Sequence, residues 1–263
     1  MQIISSKDND IIKNIKKLKE KKYRDLEGKF IVEGIKLVEE ATRENAKISK
    51  VVICEEQLNN GDLPKELLYK IAKYDCIYVT EKVFQTLTEV KTPQGILAVI
   101  NKNNQNNEVD YSQDIIIALD DIQDPGNLGT IIRTIDSADL NQVIVSKGSS
   151  DCYSSKVVRS TMGAIFRVNI IETENLCEML KQMQKHKFKI VSTDLCANKD
   201  IYSIDYKNKV IVIGNEANGV SNEVKQMSNE KIKIPMLGKT ESLNASVATG
   251  VVLYEYIRRK VNI

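Results

Sequence analysis

The chain has a single histidine, no pair of cysteines at C-x-x-C spacing and no long apolar run, and each shortage excludes a class of protein. Its five cysteines (Cys54, Cys76, Cys152, Cys177, Cys196) are scattered and odd in number, which points to reduced thiols and away from a structural zinc site; no metal is expected. His186 sits in the charged run Lys185-His-Lys-Phe-Lys, where a solvated helix end is the expected role, so histidine acid–base chemistry has no candidate. No apolar stretch approaches the roughly 18 residues of a membrane helix. The start, Met1-Gln-Ile-Ile-Ser-Ser-Lys-Asp, lacks the layout of a signal peptide, and a cytoplasmic address is expected. No strand is followed by G-x-G-x-x-G, which argues against an ordinary dinucleotide-binding fold. Ten tyrosines and four phenylalanines are too dispersed to mark a stacking platform, with Tyr23, lodged among lysines, the one exception.

What is present is an uneven charge. The net charge is +2, yet residues 1–30 alone hold nine Lys and Arg against five Asp and Glu. Two readings are open: a site for a polyanion, or a Lys-rich helix face in solvent. Ile11, Ile12, Ile15 and Leu18 recur at helical spacing with lysines between them, predicting an amphipathic helix with a cationic outer face.

A length of 263 residues favours two domains. Apolar runs at 30–32, 51–54, 76–79 and 95–100, alternating with helical patterns, predict a first α/β domain over 1–104. The Asn-rich stretch from Asn101 has too few apolar residues to pack and is the expected linker, about 101–113. Ile115-Ile-Ile-Ala-Leu opens a second domain, 114–263, as a central parallel strand. Further strands near 143–146, 189–193, 210–213 and 232–234 alternate with helices, predicting a mostly parallel sheet covered on both faces. Pro125 and Gly126 enforce a turn after the first of these strands, and Asn127 can cap the helix that follows. Ser242-Leu-Asn-Ala-Ser reads as the capped start of the last helix. Two loops rich in Gly and small polar residues, each leaving a strand end, make a backbone-lined pocket plausible.

Three blocks carry a resemblance: Asn127-Leu-Gly-Thr-Ile-Ile-Arg133, Ile213-Gly-Asn-Glu-Ala-Asn-Gly219, and Ile234-Pro235 through Ser242-Leu-Asn244 to Ala248. Together with Lys156-Val-Val-Arg-Ser-Thr-Met-Gly-Ala they resemble the SpoU (TrmH-like) family of RNA ribose 2′-O-methyltransferases, within the SPOUT class. Upstream, Lys22-Tyr-Arg, Phe30-Ile-Val-Glu-Gly and Thr92-Pro-Gln-Gly-Ile-Leu-Ala-Val are similar to a substrate-binding domain of ribosomal-RNA members, whose fold resembles a small RNA-binding ribosomal protein.

The resemblance implies a C-terminal parallel-sheet domain with a deep trefoil knot, S-adenosyl-L-methionine held in that knot, and a homodimer with active sites at the subunit interface. By motif position it gives cofactor contacts to Gly214, Ile234 and Leu243, with Thr193 added. It gives catalysis to Arg133, arranged by Asn127, Glu216, Ser242 and Asn244. The family's proposal makes Arg133 the base; a guanidinium does not readily lose its proton, and bidentate phosphate binding is its other competence. Lys21, Lys22 and Arg24 are the expected RNA contacts. Ribosomal RNA is the implied substrate, the alternatives being transfer RNA or a catalytically silent RNA-binding protein.

Overall fold

Runs of aliphatic and β-branched residues set down two separate sheets, one in each of two units. The computed structural model describes residues 3–102 and 108–261. One unit comprises residues 1–104 together with 153–166, and the other comprises 105–152 and 167–263. Part of the expected linker, residues 103–107, lies outside the described residues.

In chain order the first unit carries β1 (Ile3–Ile4), α1 (Asp10–Lys17), α2 (Lys21–Glu27), β2 (Lys29–Glu33), α3 (Ile35–Arg43), β3 (Ile48–Cys54), α4 (Glu55–Asn59), α5 (Lys65–Ile71), β4 (Cys76–Val79), α6 (Glu81–Leu87) and β5 (Ile96–Asn101). Its strands lie in the order β1-β4-β3-β5-β2; β5 is antiparallel to both neighbours, and β4 is parallel to both of its own. The helical stripe behaves as its spacing predicts, with one exception. Ile12, Ile15 and Leu18 are buried against Val52, Leu97 and Val99 of the sheet, while Ile11 stays 38% exposed.

The basic front is not one continuous helix. The first helix stops at Leu18, and a second starts at Lys21. Arg24 corrects an expectation here. Rather than facing RNA it is 5% exposed, and its Nη1 donates to the carbonyls of Leu18 (2.7 Å) and Lys19 (2.6 Å), among the acceptors that the end of α1 leaves without helical partners. A fixed cation there also suits the negative end of the helix. Arg24→Ala should cost about 1.5–3 kcal/mol, the range for hydrogen bonds to a charged group, read by urea unfolding. A drop in RNA affinity at unchanged stability would restore the original assignment.

The chain continues as β6 (Ile115–Asp120), α7 (Pro125–Ser137), β7 (Gln142–Ser146) and α8 (Ser155–Ser160), then β8 (Asn169–Thr173), α9 (Leu176–Lys185), β9 (Lys189–Thr193) and β10 (Lys199–Asp200), and ends with β11 (Lys209–Gly214), α10 (Asn222–Met227), β12 (Glu230–Lys233) and α11 (Ala245–Lys260). Seven parallel strands form the sheet of the second unit, in the order β10-β12-β9-β11-β6-β7-β8. Ile116, Ala118, Val210 and Val212 pack with Leu180, Met183 and Val224 of α9 and α10. The alternate residues of the same strands face the opposite side. α7 and α11 pack against each other and against β7 and β11. β8 and β10 are not anticipated by the sequence; both are edge strands, and neither carries the continuous apolar run of a central strand.

α8 departs from the unit on either side of it in sequence. Residues 153–166 belong to the first unit, where α8 lies against β2, Val157 and Val158 are buried, and Tyr153 packs on Phe30 with ring centroids 5.0 Å apart.

At the far end of α11, Glu255 accepts from Arg258 (2.8 Å) and Arg259 (2.6 Å), and these guanidinium groups pull its carboxyl down to about 2. A depressed carboxylate stabilises the fold above its ordinary value of 4.5 and loses that contribution as pH falls toward about 2. Glu255→Gln should therefore melt below wild type at pH 7, with the gap closing between about pH 4.5 and 2; a constant gap would mean that packing, not charge, is what Glu255 supplies. No helix among the described residues is long and apolar enough to cross a membrane.

Candidate active site

Three chain segments meet beyond the ends of β6, β11 and β12. The first is the turn from β6 into α7. Asp124, not Asn127, is the cap of α7: its Oδ1 accepts from the Asn127 backbone N–H at 2.8 Å, and Pro125 takes the first helical position. This frees the Asn127 carboxamide. Its Nδ2 donates to Glu216 Oε1 at 2.8 Å, and its Oδ1 accepts from Asn244 Nδ2 at 2.8 Å. Asn244 in turn caps α11, its Oδ1 accepting from the backbone N–H groups of Ser246 (2.9 Å) and Val247 (3.3 Å). A carboxylate only accepts and a backbone N–H only donates, so both carboxamides are fixed in orientation along the chain Glu216–Asn127–Asn244–α11. Residues far apart in sequence are tied at one point.

The second segment follows β11. Gly214 is required there by close approach: a Cβ on it would lie 2.1 Å from the Gly219 carbonyl carbon and 2.1 Å from the Val220 nitrogen. The space at Gly214 is thus occupied by its own loop, which returns through paired backbone bonds between Asn215 and Gly219. Asn215, buried at 8% exposure, organises that loop. Its Oδ1 accepts from the N–H groups of Ala217 (2.9 Å) and Asn218 (3.0 Å), and its Nδ2 donates to the Asp121 carbonyl (2.8 Å). The sequence reading passed over Asn215. The signal that could have found it is the habit of Asn to hydrogen-bond backbone N–H groups two residues ahead in a turn.

The third segment is the loop from β12 to α11. Across residues 235–243 no backbone group has a hydrogen-bond partner among the described residues. Met236, Ser242 and Leu243 of this stretch border a cavity of about 350 Å³, within the usual range of small-molecule sites. Thr193, Gly214, Glu216, Ile234, Ser242 and Leu243 all line it. Thr193 anchors its own side chain on the Val212 carbonyl (3.1 Å), and an Asp194–Lys225 ion pair (3.7 Å) adds charge to the wall. The cavity therefore offers an aliphatic surface from Ile213, Ile234 and Leu243, unused main-chain donors and acceptors, and two carboxylates, Glu216 and the Lys225-paired Asp194. That set fits S-adenosylmethionine, which presents an adenine with donor and acceptor edges, a ribose diol and a cation.

Asn127 and Asn244 do not line the cavity but reach it through Glu216. Arg133 stands apart. It is exposed on α7, does not border the cavity, and its guanidinium makes no hydrogen bond or ion pair with a described residue. Lys21 and Lys22 are exposed on α2. Among the described residues no group of three or more His, Cys, Asp or Glu is placed to hold a metal.

Residues 114–254 match the SpoU rRNA Methylase family. The chain belongs to that family. Residues 9–98 match an MRM3-like substrate binding domain. The chain is 30% identical over 255 residues to the 23S rRNA (guanosine(2553)-2′-O)-methyltransferase RlmP of Bacillus subtilis, covering 97% of this chain and 98% of that one. An AdoMet-bound rRNA methyltransferase from Sinorhizobium meliloti superposes with a TM-score of 0.85 at 32% identity, over 99% of this chain and 98% of that chain. The likeness to the TrmH/SpoU tRNA modifying enzyme of A. aeolicus is narrower: 31% identity and a TM-score of 0.51, over 57% of this chain and 77% of that chain.

Proposed function

We propose that this SpoU family member transfers a methyl group from S-adenosylmethionine to the 2′-hydroxyl of a ribose in large-subunit ribosomal RNA. The observation that carries the reading is the convergence of Gly214, Ile234 and Leu243 on one cavity whose Glu216 is wired to Asn127 and Asn244. The match of residues 9–98 to a substrate binding domain, and full-length likeness to rRNA rather than tRNA enzymes, favour ribosomal RNA.

Gly214, Ile234, Leu243 and Thr193 are assigned to hold the cofactor, largely through main-chain groups. When bound, it would supply a methyl group on a sulfonium whose S–C bond breaks to leave a neutral thioether, while the ribose oxygen would form the O–C bond and pass its proton to solvent water. Well-oriented placement is worth roughly 7–11 kcal/mol, and a positioned base about 10²–10⁴-fold, or roughly 3–5 kcal/mol, so the protein's main task is geometric. Arg133 is assigned to that task. Its guanidinium is a planar fork of donors that matches the phosphate beside the target ribose. Glu216, Asn127, Ser242 and Asn244 set the ribose against it. Asn127→Leu removes the link between Glu216 and Asn244 and should lower turnover about 10- to 100-fold with cofactor affinity kept; an unchanged rate in single-turnover assays would reduce the relay to a cap.

The working form is a homodimer. Arg133 sits outside its own chain's cavity, and α11 exposes Val247 (51%) and Tyr254 (56%), surface that a second copy would cover. The C-terminal segment is assigned a deep trefoil knot. In support, β12 is the last strand in sequence yet lies inside the sheet between β9 and β10, and the terminal helix α11 packs on α7, the first helix of its unit. The place of work is the cytoplasm, with ribosomal RNA.

Calorimetry with S-adenosylmethionine, followed by methyl transfer to protein-free 23S transcript, tests the proposal. The product should resist alkaline cleavage at one linkage. Absence of cofactor binding would favour an RNA-binding protein without catalysis, and a methyl group on a base would replace the ribose chemistry.

A further inference from the structure

The first unit has a cavity of its own, about 360 Å³, between α1, α2 and the sheet. Its floor is aliphatic: Ile15, Leu18 and Val99, each 4% exposed. Its rim leaves Ile11 38% and Leu26 73% exposed, so apolar side chains stand in water around one hole. Tyr23 lines it, with the ammonium groups of Lys17 and Lys22 at 5.7 and 5.8 Å from its ring centre. Lysines outnumber carboxylates in the lining, Lys17, Lys29 and Lys50 against Glu27, and Lys50 pairs with Asp75. The one carboxylate in the lining, Glu27, pairs with Lys29 at 3.8 Å. Lys13, Lys16, Lys17, Lys21 and Lys22 make no ion pair with a described residue.

We propose that this cleft receives one unpaired RNA base, stacked on Tyr23, with the flanking phosphates on Lys17 and Lys22. The inference rests on the RNA-methyltransferase reading for its substrate class and adds where and how an unpaired nucleotide is held. An aliphatic hole with an aromatic wall suits the face of a base, which stacks irrespective of sequence, and the unpaired Lys17 and Lys22 beside that wall suit a polyanion rather than a neutral peptide. A base inside a duplex cannot reach such a hole; one in a loop or bulge can. As the base takes the tyrosine face, the lysine ammonium groups, held by nothing else, move out to the phosphates. Asn14, exposed on the cleft wall, offers its carboxamide to the edge of the base.

The test uses the full-length protein and fluorescein-labelled ten-nucleotide single strands of U or A, beside a ten-base-pair RNA duplex, followed by anisotropy across a salt series. Single strands should bind more tightly than the duplex. Tyr23→Ala should weaken single-strand binding about 5- to 150-fold, the range for loss of one stacked base, while the salt slope stays as in wild type. Tyr23→Phe should remain near wild type. Joint Lys17→Gln and Lys22→Gln should flatten the salt slope by about 1.4, two phosphates on a single strand. Should Tyr23→Ala fail to fold, Leu26→Ser, neutral and at an exposed position on the rim, must produce a loss of the same selective kind. Equal affinity for duplex and single strand, no effect of Tyr23→Ala or Leu26→Ser, or a loss in Tyr23→Phe as large as in Tyr23→Ala would each overturn the base pocket. Cofactor calorimetry on the same samples separates the two ideas, because failure of wild type to bind S-adenosylmethionine sinks the methyltransferase reading and leaves the RNA titrations standing on their own.

Discussion

Arg133→Ala is expected to slow methyl transfer by about 10²–10³-fold, the range for removing one preorganised charged donor, while the affinity for S-adenosylmethionine stays within about twofold of wild type. The separation follows from the role assigned: Arg133 is exposed on α7, does not border its own chain's cavity, and is given the phosphate rather than the cofactor to hold. Arg133→Lys keeps the charge but not the planar fork and should recover only a small part of the rate. Single-turnover transfer to saturating RNA, with calorimetry on the same protein, reads both quantities. Parallel loss of rate and cofactor affinity would remove Arg133 from the reacting end of the site. In a homodimer, mixing Arg133→Ala with a cavity variant should return a share of active sites; none would regain activity if each chain served its own cavity alone.

Gly214→Ala is expected to abolish measurable cofactor binding, a loss of more than about a hundredfold, and to destabilise the second unit by about 1–3 kcal/mol, the usual cost of overpacking. The added methyl would stand 2.1 Å from main-chain atoms of Gly219 and Val220, which cannot give way as a flexible side chain would. The Asn215–Gly219 turn must then open, carrying Glu216 away from Asn127. Gly238→Ala is the matched control: a Cβ there meets nothing within 4 Å, and binding should be unchanged. Normal cofactor binding by Gly214→Ala would show that the loop repacks, and the cavity would owe little to its present shape.

The central strands could be read from sequence because burial on both faces leaves an unbroken apolar run, as in Ile115-Ile-Ile-Ala-Leu. Edge strands carry no such run, which is why Asn169–Thr173 and Lys199–Asp200 were missed. The capping role of Asn244 was legible from an Asn set before small helix-forming residues. At α7 the same reasoning chose the wrong residue: Asp124 followed by Pro is the better cap signature, and it puts Asn127 in the first turn. Charge pattern located the basic front but could not say which cation turns inward, so Arg24 was misassigned. Motif position singles out Gly214 for a cofactor contact, but the neighbour that demands a residue without a side chain there is the chain's own Gly219–Val220 backbone. Nothing local marks residues 153–166 as belonging to the first unit. That assignment depends on Val157 and Val158 finding a surface more than a hundred residues upstream, and long-range packing leaves no periodic trace.

That excursion has a consequence for how the protein can be divided. A cut between residues 101 and 113 yields an N-terminal fragment whose sheet still needs α8, and a C-terminal fragment that carries α8 away from its packing partner. Two such pieces, produced separately in the cell, should reassociate through this helix into a nicked protein, so separating the halves takes a second cut that leaves residues 153–166 with the first unit.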